Sequence, residues 1–271
     1  MNLVLTNLST VAAILGGMGA IGLVETVIPL HARGRWHRAH LGPNLALTFL
    51  TFFSTFFLNA ALILLLLWLE KRGFGLLRWL PIGPIAAGII GILALDFSWY
   101  ALHRAMHRVP TLWRYHRVHH SDPVVDVTTT IRQHPGESLL RYATLTLFVT
   151  VFGIGLVSFA IYRAWSALNG LAEHANVRMP RWLDRTIALV SVSPDMHKVH
   201  HSRDVRETDT NYGNIFSVHD RALGTFTPTE RGPTVVCGLD GFDDDDVQTT
   251  AGLLGLPFRD RVPSGPARAS S

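Results

Sequence analysis

Cysteine is almost absent from this chain, and charge is scarce in a patterned way. The single Cys237 excludes an intrachain disulfide and any Cys-x-x-Cys metal or redox site. Charged residues make up 16% of the sequence, against roughly 25% in soluble domains. The shortage falls in long apolar blocks separated by Arg- and His-rich stretches, which is a membrane-protein pattern. No His-Glu-x-x-His is present, so the zinc-protease signature is missing, and no long histidine run suggests an affinity tag. The first ten residues carry no Lys or Arg, so the basic start of a secretory signal is lacking and the first apolar segment is expected to be retained. The net charge of +4 is modest. Its basic residues flank apolar segments and read as topology signals and headgroup contacts, not as a nucleic-acid surface.

What is present is a series of spans. Val11–Leu30 has about the 20 residues needed to cross a bilayer, and its Glu25 is expected to face other helices or the interface. A basic loop follows, His31–His40, with Arg33, Arg35 and Arg38; its His31, His37 and His40 read as interfacial, not ligating. Asn44–Leu69 is the strongest span, and Glu70–Leu80 turns the chain with Lys71, Arg72 and Arg78. Pro84–Leu102 is the third span and runs into the first histidine cluster. Leu139–Leu168 is broken at Gly153-Ile154-Gly155, leaving halves of about 14 residues, ~21 Å as helix and short of a full crossing. Histidines lie on both sides of this block. If they share one site, it must be a hairpin that returns to the face it left. Met179–Val192 reads as an amphipathic helix lying on the membrane.

These features predict an all-α integral membrane protein with about three spans, a helical hairpin and a cytosolic histidine-lined helical cap. They divide the chain into a spanning region (1–95), a site-bearing region (96–227, with the hairpin 139–168) and a tail (228–271). The tail, with Asp243–Asp246 and Ser-rich residues, reads as loosely ordered, most of all beyond Arg259. Lys and Arg concentrate on the histidine face, which places it in the cytoplasm.

The histidines carry the chemistry. His103 and His107 are four apart; His116, His119 and His120 form His-x-x-His-His, and His197, His200 and His201 repeat it. Residues at i, i+3 and i+4 share a helix face, so each group turns imidazoles to one point. The two triplets suggest two similar ligand sets, each serving one metal. His174 is a ninth ligand candidate, and Asn169 a weaker one. Imidazole suits Zn, Cu, Fe and Ni, so ligand type alone does not choose the metal. Eight or nine imidazoles exceed what one ion uses, and two ions with open positions fit the number better. Asp96, Tyr100, His103 and His107 form one helical stripe, in which Asp96 can accept a ligand ring N–H. Asp122 and Asp204, after each triplet, serve equally as similar partners or as exposed caps. His134 is placed at a substrate entrance and His219 in a structural role.

Taken together, these residues resemble the fatty acid hydroxylase superfamily, also called the sterol desaturase family. The likeness runs from about Asp96 to Phe226. It is carried by Asp96-Phe97-x-x-Tyr100-x-x-His103-Arg104-x-x-His107, Trp113-Arg114-x-His116-x-x-His119-His120, Arg132-x-His134-Pro135-x-Glu137, His174-Ala175-Asn176, His197-x-x-His200-His201, Asn211-Tyr212-Gly213 and Asp220-Arg221-x-x-Gly224-Thr225. His219 departs from the pattern, which has Trp before Asp-Arg. The resemblance implies a membrane enzyme with two non-haem irons and O2 as co-substrate. Its substrate would be a sterol, a fatty acyl chain or another bilayer lipid, hydroxylated or, as a lesser expectation, desaturated. Electrons would come from a separate reductase, ferredoxin or cytochrome. A competing reading, a membrane metal-binding or transport protein without oxygenase activity, predicts ionisable ligands within the spans.

Overall fold

A computed structural model describes residues 3–32 and 35–259; the side chains of residues 3–8 and 35–38 lie outside that description. The expectations for Arg33, Arg35, His37 and Arg38, and for the chain beyond Arg259, therefore fall outside the described residues. Among the described residues every regular element is helical and no strand is present. In chain order these are α1 (Leu3–Val27), α2 (Arg35–Arg72), α3 (Leu76–Trp79), α4 (Pro84–Arg108), α5 (Pro110–His120), α6 (Pro135–Phe152), α7 (Leu156–His174), α8 (Arg181–Ala188), α9 (Pro194–His200), α10 (Val205–Thr208), α11 (Val218–Ala222) and α12 (Thr250–Gly255).

Among the described residues three segments are long and apolar enough to cross a membrane: Ser9–Val27, Ala39–Trp79 and Pro84–Arg108. They match the three expected spans. At 1.5 Å per residue α2 is about 57 Å long, against ~30 Å of hydrocarbon. Its N-terminal turns, expected as a basic loop, are helix instead and reach into the cap. Glu25 is buried in α1 and accepts the backbone N–H groups of Val127 and Asn176, both at 2.9 Å, so it faces protein as expected.

The 139–168 block is a hairpin. The α6 and α7 arms extend into the polar layer beyond the apolar block, so each is longer than its apolar half alone suggested. Gly153 closes α6 in the left-handed region, φ +65°, which glycine adopts without a Cβ clash. A Cβ there would also collide with the Phe74 carbonyl oxygen and the Gly75 backbone. The tip is thus fixed by two glycine backbones meeting at the α3 turn.

Both arms pack on α4. The core between them joins Leu62, Leu66 and Leu69 of α2 with Leu95, Tyr142, Leu145, Val149, Phe159 and Tyr162. Lipid tails are as apolar as these side chains, so close van der Waals fit, not water exclusion, holds this layer together. Outward, Phe53, Phe57, Ile85 and Val157 are exposed, as a lipid-facing surface requires.

Two expectations change. The 179–192 amphipathic helix is shorter, Arg181–Ala188. Its Trp182, Leu189 and Val190 edge is 64–69% exposed, while Asp184 is buried and accepts the Asp195 N–H at 3.0 Å. That inverts the soluble pattern and suits a membrane surface. The tail is not loose between 229 and 259. Leu239, Phe242, Val247, Leu253 and Leu256 are buried with Leu47 and Val118, and Arg203 grips Asp243 at 2.6 and 2.8 Å. The aspartates that suggested a solvated tail bracket apolar anchors that seat on α5.

Candidate metal centre

All nine histidines expected as ligands converge. One group gathers His103, His107, His116, His120 and His200; the other gathers His119, His174, His197 and His201. All nine are buried. The hairpin condition is met: α7 returns His174 to the cap, where its Nε2 lies 3.2 Å from His119 Nε2 and 3.0 Å from His197 Nε2.

The division differs from one triplet per site. In each His-x-x-His-His the outer pair, spaced i and i+4, stays together, and the middle histidine crosses to the other group. His119 leaves His116 and His120, and His200 leaves His197 and His201. The reason is angular. On a helix i+4 lies about 40° from i, but i+3 lies about 60° to the opposite side. The two triplets therefore exchange one ligand each, and the groups abut where the His120 and His201 rings stack at 4.5 Å.

Local structure sets this up. Pro110 starts α5 and Pro194 starts α9, each at a first-turn position where proline costs no hydrogen bond. Ser193 caps α9 by accepting the Met196 N–H. Trp113 packs on His107 and His120 with ring centroids at 4.9 and 5.4 Å.

Ring tautomers follow from the outer contacts. His103 Nδ1 meets the Tyr212 carbonyl at 2.8 Å, His200 Nδ1 the Thr210 carbonyl at 2.7 Å, and His174 Nδ1 the Gly170 carbonyl at 2.7 Å. A carbonyl only accepts, so each Nδ1 carries the proton and each Nε2 offers a lone pair inward. The Nε2 atoms of His103 and His200 are buried with no hydrogen-bond partner among the described residues. Within groups, Nε2 atoms stand 3.0–3.2 Å apart, close to the ~3 Å expected of two imidazoles bound at ~2.1 Å and right angles to one ion. Burial, followed by neighbouring histidines, holds His119, His120, His197 and His201 well below their ordinary range; burial brings His200 down to about 3. These imidazoles are neutral at physiological pH and suited to a cation. The donor set and its inward lone pairs fit two metal ions.

The remaining site candidates lie elsewhere. Asp96 accepts the N–H groups of Ile215 and Phe216 at 3.1 Å and meets His219 Nε2 at 3.2 Å, so it orients the 211–217 loop and not a ligand ring. His219, standing where Trp was expected, is its partner. Tyr100 hydrogen-bonds Thr225 at 2.9 Å. Asp204 caps α10 near Arg206. Asp122 contacts no ligand ring; it meets His40 Nδ1 at 3.1 Å, Asn44 at 3.0 Å and Thr129 at 2.8 Å. Burial alone would raise its carboxyl, but Arg132 and His40 hold it well below the usual range. His40 is thus buried between Asp122 and Asp126, not interfacial. His134 caps α6 by accepting the Gly136 N–H and packs on Tyr115 and Phe258. Asn169 donates to Glu173 and to the Asn214 carbonyl.

The carboxylates nearest the ligand rings were not assigned that role from sequence. Glu137 lies 3.2 Å from His116 Nδ1, Asp209 lies 3.3 Å from His107 Nδ1, and Glu173 lies 3.9 Å from His174 Nδ1. Only Glu137 carried a signal, two residues beyond the His-Pro pair that opens α6. Beside the second group opens a cavity of about 120 Å³, reached by His103, His116, His119, His174 and His197 and walled by Ile14, Phe52, Trp99 and Leu171.

Residues 88–225 match the fatty acid hydroxylase family. An ornithine lipid hydroxylase of Rhizobium tropici is 33% identical over 155 residues, covering 56% of this chain and 45% of that protein. Alkylglycerol monooxygenases of Danio rerio and Homo sapiens are each 29% identical over 144 and 142 residues, covering 51% and 49% of this chain and 30% and 29% of theirs. The matched part therefore spans less than half the length of these relatives. No solved structure matches the chain. With the family match covering half of the sequence and containing all nine converging histidines, this chain belongs to the fatty acid hydroxylase family.

Proposed function

We propose that the protein is a membrane-embedded, O2-dependent monooxygenase that hydroxylates a C–H bond of a bilayer lipid at two non-haem irons. The observation that carries this reading is the pair of adjoining, buried histidine groups beside an apolar-walled cavity. The relatives are named as a lipid hydroxylase and alkylglycerol monooxygenases, which supports lipid oxidation. Overall, R–H, O2, two electrons and two protons give R–OH and H2O, and the irons supply the redox chemistry that activates O2. Desaturation of the same chain is the lesser alternative.

The chain's own residues have defined tasks. Five imidazoles would hold one ion and four the other. Tyr212, Thr210 and Gly170 carbonyls fix ring orientation, and Glu137 and Asp209 supply negative charge that neutral imidazoles lack, while burial pushes the Glu173 carboxyl well up, toward its neutral form. Trp99, Phe52 and Leu171 keep water from the reacting carbon and hold the alkyl chain in place. Residues 96–227 form the catalytic unit and 1–95 its main anchor. The histidine face is assigned to the cytoplasm from its excess of arginine, where a separate reductase, ferredoxin or cytochrome delivers electrons. A transport role is disfavoured because the histidines gather at one end of the spans, in a closed shell. Lipid profiling of cells with and without the protein, under 18O2, tests the proposal. One 18O atom in a lipid formed only with the protein is expected; unchanged lipids, or products without 18O, would overturn it.

A further inference from the structure

The cavity holds a feature that a site for a purely apolar chain does not need. Arg141 of α6 and Arg163 of α7 both line it, on the two arms of the membrane hairpin. Arg163 makes no hydrogen bond and no ion pair among the described residues; its guanidinium only faces the Tyr142 ring at 5.7 Å. Arg141 lies over the Trp99 ring at 4.6 Å, and its single hydrogen bond is a long one, 3.5 Å to Ser166 Oγ. No carboxylate lies within 4.0 Å of either guanidinium among the described residues. Glu173, which shares the cavity, is engaged by Asn169, and Glu137 stands beside His116.

Two guanidiniums within a membrane hairpin are costly unless something pairs with them. Their five-donor planar heads match the geometry of carboxylate and phosphate oxygens. The rest of the wall is apolar or uncharged apart from Glu173, whose carboxyl burial pushes well up toward its neutral form. Arg141 and Arg163 thus give the cavity wall positive charge with no carboxylate in ion-pair contact among the described residues, and Trp99 stands between Arg141 and the His103 ring.

We propose that Arg141 and Arg163 are the anion-binding end of this cavity, and that the lipid it takes carries a carboxylate or phosphate group. This rests on the oxygenase reading for the fate of the lipid, though not for its binding. Ser166, which Arg141 touches, precedes His174 by eight residues on α7, about 12 Å, which is roughly ten bonds of extended chain. On a path along α7 toward His174, the oxidised carbon is then separated from the oxyanion by an alkyl stretch.

The test measures binding of nitroxide-labelled C18 lipids to the full chain in nanodiscs, by electron paramagnetic resonance. The probes are a carboxylate, its methyl ester, a phosphate monoester and a quaternary ammonium analogue. The carboxylate and phosphate are expected to bind at least about tenfold more tightly than the methyl ester, and the ammonium probe to be excluded. Arg141→Gln with Arg163→Gln should erase the preference, and Arg163→Lys should keep most of it. Equal binding of ester and carboxylate by the unaltered protein would overturn the proposal, whatever the variants do. Full displacement of the lipid by low-millimolar inorganic phosphate would also overturn it, by showing a site for free anions. Charge-selective binding without oxidation of any probe would refute the oxygenase reading alone. Oxidation of the carboxylate and phosphate probes with unchanged KM in the double variant would refute the anion site alone.

Discussion

Glu137 offers a sharp perturbation, because it touches one histidine group and not the other. Its carboxylate is fully buried and sits 3.2 Å from His116 Nδ1, in the five-histidine group. Glu137→Gln keeps the size of the side chain beside His116 but removes the charge. Glu137→Ala removes both. Losing an outer partner of a metal-bound histidine typically lowers metal affinity 10- to 100-fold, or about 1.4 to 2.7 kcal/mol. We expect the glutamine variant near the lower figure and the alanine variant near the upper. The four-histidine group has no contact with Glu137, so its affinity should change by less than about twofold. Competition with a chelator, read as metal retained per chain, should show one ion released early and one at the normal concentration. Release of both together, or of neither, would refute the assignment of Glu137 to one group.

Other outcomes follow from the same contacts. Gly153→Ala puts a Cβ against the Phe74 carbonyl in a left-handed residue; it should cost about 1–3 kcal/mol and lower the unfolding temperature in detergent. Gln248→Leu removes bonds to the Ser121 and Phe242 carbonyls and to Arg132. It should cost about 2–4 kcal/mol and make the chain after residue 228 cleavable by protease. In metal-free protein, His200 titrates near 3 when folded and near 6.5 when unfolded. The unfolded chain then binds more protons between those values, so stability falls as pH drops below about 6.5. His200 alone would contribute a loss of about 2 kcal/mol at pH 5, visible as a lower unfolding temperature than at pH 7.5.

Much of the site was legible because its determinants are local. Helical spacing aligned His116 with His120 and His197 with His201, and apolar length with a glycine break gave the hairpin. What the sequence concealed lies in contacts between distant segments. The crossing of His119 and His200 depends on how α5 and α9 face each other, which no periodicity encodes. His40 meets Asp122 across 82 residues of sequence, because α2 outruns the bilayer and enters the cap. Asp96 shared a helical stripe with His103 and His107, yet the 211–217 loop reached it first and took both its oxygens. The 229–259 segment was obscured by its aspartates, although Phe242 and Leu253 among them are fully buried anchors.

Iron per chain is the most direct measure of the central claim. The protein should be purified in nanodiscs after expression with ample iron and analysed by plasma mass spectrometry, beside His120→Ala and His201→Ala. The account predicts about two irons per chain in the unaltered protein and about one in each variant, with the protein still folded and membrane-inserted. A folded protein that carries no iron, or one whose iron content ignores both substitutions, would contradict it.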